Sequence, residues 1–367
     1  MRQLNVEAAA RYIRTLRDHR DEVVDAIAAD GWPEAMARAG LKLHWHTWDV
    51  ELLRHSIRQE LAAIDESNRH RWSWPERVHH IWPALPGAGM TPVLVGMLLG
   101  IDQAVRPSRR GRHFAHQVAR WAPWEVIEPG EEWRDAELVV ASGSDQTIDE
   151  IRRQLGSGGR VVGYGHRVSL VVIDDDGDAK LDELAECTAK DVVMWHQQGC
   201  FSARAVLFCG GENRQKRFAE LLAESIAEFE ERWEAEDVGD AELATRAQNL
   251  GIAQMKSRVF CEGIGYVRCD DEAFDGSREA IHSVTVHRIA GPQDVGQAVQ
   301  VAPGQLQGVA MGGEWRRRRN GWIDGLGAIG ATRICPIGTL QAPPADWWHD
   351  GRPNALSWAR VVSVDKN

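Results

Sequence analysis

Cys200 gives the strongest local signal for covalent chemistry in this sequence. It lies in His196-Gln197-Gln198-Gly199-Cys200-Phe201-Ser202, after a glycine and between an expected helix and an expected strand. A free thiol is only a few per cent thiolate at neutral pH, so a nucleophilic cysteine needs backbone dipoles or cations close by. Most lone cysteines are inert core residues, and position alone does not decide between the two readings. The other five, Cys187, Cys209, Cys261, Cys269 and Cys335, form no Cys-x-x-Cys pair and no regular spacing. With no export signal at the N-terminus, such a set reads as a reduced, cytoplasmic chain and not as a disulfide framework.

Two further groupings suit phosphate. Arg106-Pro107-Ser108-Arg109-Arg110-Gly111-Arg112 holds four guanidiniums at the end of an expected strand. Arginine forks fit phosphate oxygens, although the run also reads as a solvated basic turn. The small turn Ala141-Ser142-Gly143-Ser144 leads from a strand into a helix that Ser144 can cap. The free N–H groups and dipole of such a helix favour a pyrophosphate, yet no G-x-G-x-x-G accompanies the turn, and any βαβ unit needs one like it. His44, His46, His79 and His80 complete no known metal-ligand spacing. Arg316 to Arg319, beside Glu314, reads as a solvated or interface turn.

Periodicity supplies the elements that must position these groups. A helical stripe runs from about Val6 to Ala29 and a second from Val50 to Ile64, and Thr91-Pro92 reads as the cap and first position of an apolar helix to Leu99. Strands and helices then alternate: strand 102–106, helix 114–121, strand 137–141, helix 145–155, a closing turn at Gly156–Gly159, and strand 160–164. Strand 169–173, helix 181–193, strand 203–209, an amphipathic helix through Phe218 to Trp233 and strand 284–289 follow. This is an α/β chain, with βαβ units that build parallel sheet.

Composition bounds the function. Forty-three basic against 54 acidic residues give a net charge of -11, which argues against a non-specific nucleic-acid binder. The longest apolar stretch, from Pro92 to Ile101, is far shorter than the roughly 18 residues of a membrane span. The 367 residues suffice for two domains with a substantial core.

Gln198-Gly199-Cys200-Phe201-Ser202 resembles the nucleophile motif of the LuxC-type acyl-CoA reductases, a branch of the aldehyde dehydrogenase superfamily. Val105-Arg106-Pro107-Ser108 is similar to that superfamily's lysine-proline-serine turn at the adenosine ribose. Ser142-Gly143-Ser144 is similar to its glycine-serine turn beside the cofactor. Gly163 to Ser169 resembles the hinge between its domains. Thr332 to Gly338, Pro343-Pro344 and Trp348-His349-Asp350-Gly351 resemble the reductase branch in particular.

The resemblance implies a shortened aldehyde-dehydrogenase-like α/β fold. Its parts would be N-terminal helices with a Rossmann-type cofactor domain over 1–163, a catalytic domain over 164–335, and a segment, 336–367, that packs back or oligomerises. It implies Cys200 as nucleophile and Arg106, Ser108, Arg109, Ser142, Gly143, Ser144 and Gly163 as cofactor-binding residues, with no metal. The implied reaction reduces an acyl-CoA or carrier-bound thioester to an aldehyde with NADPH, NADH being the alternative donor. Partners would be the thioester and a second copy or a multienzyme complex, with no nucleic acid or membrane.

Three departures qualify this. The family's lysine is Arg106, its oxyanion-hole asparagine falls at Met90, and the glutamate that activates water falls near Gly163. Losing that base suits a reductase, because water must not consume the acyl-enzyme. Losing the asparagine removes a donor of a kind worth roughly 10²–10³ in rate. An acyl-phosphate substrate, or an impaired binding subunit, therefore stays open.

Overall fold

The computed structural model describes residues 3–65, 70–128, 136–156, 158–235, 238–270 and 272–363. Ser157 of the expected closing turn and residues 364–367 of the expected C-terminal segment lie outside them. The chain forms two compact units, Met1–His166 with Pro343–Asn367, and Arg167–Ala342.

The first unit contains α1 (Val6–Asp18), α2 (Arg20–Ala29), α3 (Glu34–Thr47), α4 (Val50–Asp65), β1 (His70–Ser73), β2 (Arg77–Trp82), α5 (Met90–Leu99) and β3 (Asp102–Pro107). It continues with α6 (Arg112–Ala119), β4 (Glu125–Val126), β5 (Leu138–Ser142), α7 (Asp145–Gln154) and β6 (Arg160–Tyr164). Five strands form a parallel sheet in the order β4-β3-β2-β5-β6. The chain starts at the central strand, winds outward through β3 and β4, then reverses to β5 and β6. That is the Rossmann order, and its switch point lies between β2 and β5. Every residue of α5 from Pro92 to Leu99 is buried, worth roughly 1.5–3 kcal/mol for each large side chain.

The second unit contains β7 (Val168–Asp174), α8 (Leu181–Val193), β8 (Ala203–Cys209), α9 (Glu212–Arg232), α10 (Asp240–Lys256), β9 (Arg258–Phe260) and β10 (Val267–Asp270). β11 (Val284–Ile289), α11 (Val295–Ala298), β12 (Leu306–Gly313), α12 (Arg319–Ala328) and β13 (Arg333–Pro336) complete it. Its sheet runs β13-β12-β7-β8-β11-β10-β9, parallel except for β9. β7 is buried along its whole length, as a strand covered on both faces must be. β14 (Arg360–Ser363) returns to the first unit and pairs antiparallel with β1.

Several expectations change. The first stripe is two helices broken at His19, with Ala9, Tyr12, Ile13 and Leu16 buried on the first and Val23, Val24, Ala26 and Ile27 on the second. α5 begins at Met90, not after Thr91, and Pro92 sits in the first turn, where a missing N–H costs nothing. The chain crosses between units after His166, not at 163. Residues from Pro343 onward belong to the first unit, where Glu60 accepts the N–H groups of Asn354, Ala355 and Leu356 at 2.8–3.0 Å. Among the described residues, no helix is long and apolar enough to cross a membrane.

Candidate active site

The loop bearing Cys200 leaves α8 through a strained turn. Trp195, His196 and Gln197 all adopt left-handed φ, between 51° and 57°. For residues with a Cβ this costs roughly 1–3 kcal/mol each and persists only where the surroundings over-determine it. Here Gln197 Nε2 donates to the carbonyls of Ala203 and Ser283 at 2.8 and 3.0 Å, and the Ser202 N–H closes the turn onto Gly199 O. Ser169, on β7, donates its hydroxyl to Cys200 O at 2.8 Å and accepts from Gly308 N on β12. The nucleophile candidate is thus fixed to two strands through one serine.

Cys200 is half-buried. Arg204 lies on the exit strand β8; burial, then the like charge of Arg278, holds it below the ordinary arginine range, and Cys200 acts in the opposite sense. A cation beside a thiol favours the thiolate. Cys209 and Cys335 also have an arginine beside them, Arg318 and Arg333, but burial outweighs it and pushes both thiols up, as it does Cys187.

Residues not proposed from the sequence as site residues also hold this loop. Arg333 lies over the Phe201 ring at 5.2 Å and donates to the carbonyls of Thr339, Leu340 and Ala342. Gln341 donates to Ser202 Oγ at 3.1 Å. Asp191, fully buried on α8, accepts the N–H groups of Gly338 and Leu340 at 2.7 and 3.0 Å. Arg333 and Gly338 belong to a motif visible in the sequence; Asp191 carries no local signal, because its partners are about 150 residues away.

In the first unit, β2, β3, β5 and β6 all deliver their C-terminal ends to one sheet edge, where open α/β sheets bind ligands. Ser142 and Gly143 are half-buried there. Ser144 caps α7, its Oγ accepting from Thr147 N at 3.1 Å. The arginine run divides. Arg110 stacks on Trp32, 4.4 Å from the ring centroid, and donates to Gly31 O, while Arg112 pairs with Glu128. Among the described residues, Arg106 and Arg109 have no ion-pair or hydrogen-bond partner, and the buried Ser108 Oγ between them has none either. Two uncommitted guanidiniums and an orphaned hydroxyl at this edge fit a phosphorylated nucleotide.

Other candidates have local explanations. Gly163 lies within β6, where a Cβ would come 2.5 Å from Ile148 Cγ2, so packing of α7 on the sheet already requires glycine there. Met90 is fully buried at the start of α5 and offers no polar donor. His44 donates to Pro86 O and His80 to Gln103 Oε1, each at 2.9 Å. Burial brings His44 down to about 4 and His80 to about 3, so both are neutral packing residues. Arg317 pairs with Asp176 and Glu314, and Arg318 with Asp174, so two of the four arginines of that turn are paired with carboxylates.

The family model for acyl-CoA reductase (LuxC) matches residues 130–359, a stretch that includes the Ser142–Ser144 turn, the Cys200 loop and the Arg333–Gly338 segment. The chain belongs to the LuxC acyl-CoA reductase family. This LuxC-family chain also shares its fold with aldehyde dehydrogenases. An NAD-dependent benzaldehyde dehydrogenase from Corynebacterium glutamicum superposes with a TM-score of 0.70 at 15% identity, over 98% of this chain and 85% of that one. An NADP-dependent enzyme of E. coli gives 0.69 at 14%, over 97% and 84%. An indole-3-acetaldehyde dehydrogenase of P. syringae, in complex with NAD+, gives 0.70 at 13%, over 97% and 82%. No curated protein matches the sequence. Its family makes this LuxC-family protein an oxidoreductase of the reductase type, on a fold it shares with aldehyde dehydrogenases.

Proposed function

We propose that the protein reduces an acyl thioester, acyl-CoA or its carrier-bound equivalent, to an aldehyde through an acyl-enzyme on Cys200. The observation that supports this most is the half-buried thiol with Arg204 as its cationic neighbour, on a loop inside the family-matched stretch. The Cys200 thiolate forms a bond to the thioester carbonyl carbon. The bond from that carbon to the carrier sulfur breaks, and the carrier thiolate leaves and takes a proton from solvent. A nicotinamide cofactor, which Arg106, Ser108, Arg109 and Ser142–Ser144 would hold, would supply the hydride for the acyl carbon when bound. Cys200 then becomes the leaving group: the oxygen re-forms its carbonyl, the carbon–sulfur bond breaks, and the aldehyde departs from a regenerated thiolate. Arg204 stabilises Cys200 as thiolate at the start and the end. Six free cysteines fit a cytoplasmic setting.

The test is nicotinamide oxidation by the purified protein with a panel of acyl-CoAs and carrier-bound thioesters. Aldehyde and oxidised nicotinamide should form in equal amounts. Flat traces with every thioester would overturn the reading.

NADPH is the expected donor. Among the described residues, Arg106 and Arg109 are the two arginines of the run with no other engagement, and Ser108 lies between them. A 2′-phosphate suits such forks far better than a ribose hydroxyl does. One charge-assisted contact of roughly 1.5–3 kcal/mol gives a tenfold or larger preference. Arg106→Ala and Arg109→Ala should each weaken NADPH binding by about that factor and leave NADH nearly unchanged. Equal losses for both donors, measured by titration, would make the run a structural turn.

A further inference from the structure

A buried carboxylate–imidazole pair adjoins the turn that leads to Cys200, and none of the proposed steps uses it. His282 Nδ1 lies 2.7 Å from Glu230 Oε1, with the two side chains only 0% and 1% exposed. Glu230 also accepts the N–H groups of Ile264 and Gly265, each at 2.8 Å, so three donors surround one carboxylate. The His282 ring lies within 13° of parallel to that of His196, centroids 5.5 Å apart. His196 is the middle residue of the left-handed run, four positions before Cys200. The next residue of the same segment, Ser283, accepts from Gln197. The entry to β11 therefore meets the strained turn at two consecutive residues, and Glu230 fixes the first of them.

Desolvating a carboxylate is unfavourable, and a hydrophobic cluster of similar volume would fill the same space without that penalty. What the pair adds is direction: a ring held in one orientation by a hydrogen bond that a purely apolar side chain could not make. We propose that Glu230 and His282 are positioning residues for Cys200, fixing the His196 ring and so the turn that presents the thiol. This rests on Cys200 being the nucleophile.

The experiment measures iodoacetamide alkylation of each cysteine by peptide mass spectrometry from pH 6 to 9, in the full chain. His282→Phe keeps a ring against His196 but loses the bond to Glu230. His196→Asn removes the ring at a position where asparagine tolerates left-handed φ. Both variants should slow Cys200 alkylation about tenfold or more and change its pH profile, leaving the other five rates as they were. A merely structural role would instead raise labelling of the buried cysteines together. Folded variants with a wild-type Cys200 profile would overturn the inference, and so would loss of folding in both, which would make the cluster ordinary core. Wild-type Cys200 labelling no faster than Cys187, Cys209 and Cys335 would overturn the nucleophile assignment first, and this inference with it.

Discussion

Replacing Cys200 with serine is expected to lower thioester reduction by at least about 10³-fold while nicotinamide binding changes by less than about twofold. The hydroxyl is isosteric enough to keep the bond from Ser169 to the backbone of residue 200, which the side chain does not make. The loop should therefore survive the change. A serine hydroxyl is a far weaker nucleophile than a thiolate, and Arg204, which favours a neighbouring anion, cannot ionise it at neutral pH. The cofactor candidates Arg106, Ser108, Arg109 and Ser142–Ser144 belong to the other unit and are untouched. Intact-protein mass spectrometry after thioester addition, with nicotinamide titration alongside, checks both halves. A stable acyl adduct on the serine variant would move the nucleophile elsewhere.

The second large effect concerns Asp191. Asp191→Ala leaves the buried N–H groups of Gly338 and Leu340 without acceptors, at about 1–3 kcal/mol each. Because that segment carries Gln341 to Ser202 and anchors Arg333 on Phe201, the damage should reach the Cys200 loop as well. The same residue gives a signed pH dependence. Burial, opposed by the two backbone N–H groups, pushes its carboxyl up to about 7 from an ordinary 3.8. Between those values the folded protein keeps a proton that the unfolded chain has released. The contribution is thus complete below pH 3.8, declines by on the order of 1.4 kcal/mol per pH unit above it, and is lost past pH 7. Denaturant titrations at pH 5 and pH 7.5 should show the wild type losing stability relative to Asp191→Asn as pH rises, while the depressed His44 and His80 shift both proteins alike. Parallel slopes would mean that Asp191 is ionised throughout.

What could be read in the sequence was what depends on near neighbours. The βαβ unit from β5 to β6, the cap at Ser144 and the bounds of α8 and β8 rest on periodicity and on residues within one turn. The Cys200 loop could be found because its glycine, glutamines and serine are contiguous. α10 was missed because only Ala253 is buried on it, leaving little amphipathic pattern. Asp191 and the Glu230–His282 pair were missed because their meaning lies in partners 50 to 150 residues away. The arginine run shows both sides: that its guanidiniums could suit anions was visible, but that Trp32 and Glu128 occupy two of the four was not.

The return of residues from Pro343 onward to the first unit has a consequence for biosynthesis. Arg167–Ala342 is one uninterrupted stretch, so it can complete its sheet as soon as it has emerged from the ribosome. The first unit, begun earlier, must wait. Arg160 donates to the carbonyls of Trp358 and Ala359, and Glu60 needs N–H groups from Asn354 to Leu356, nearly three hundred residues later. Until then a buried-to-be carboxylate and guanidinium stay hydrated, and α4 has no C-terminal segment to close against. The half of the protein made first is the half finished last, and the nascent first unit is where chaperones have longest to act.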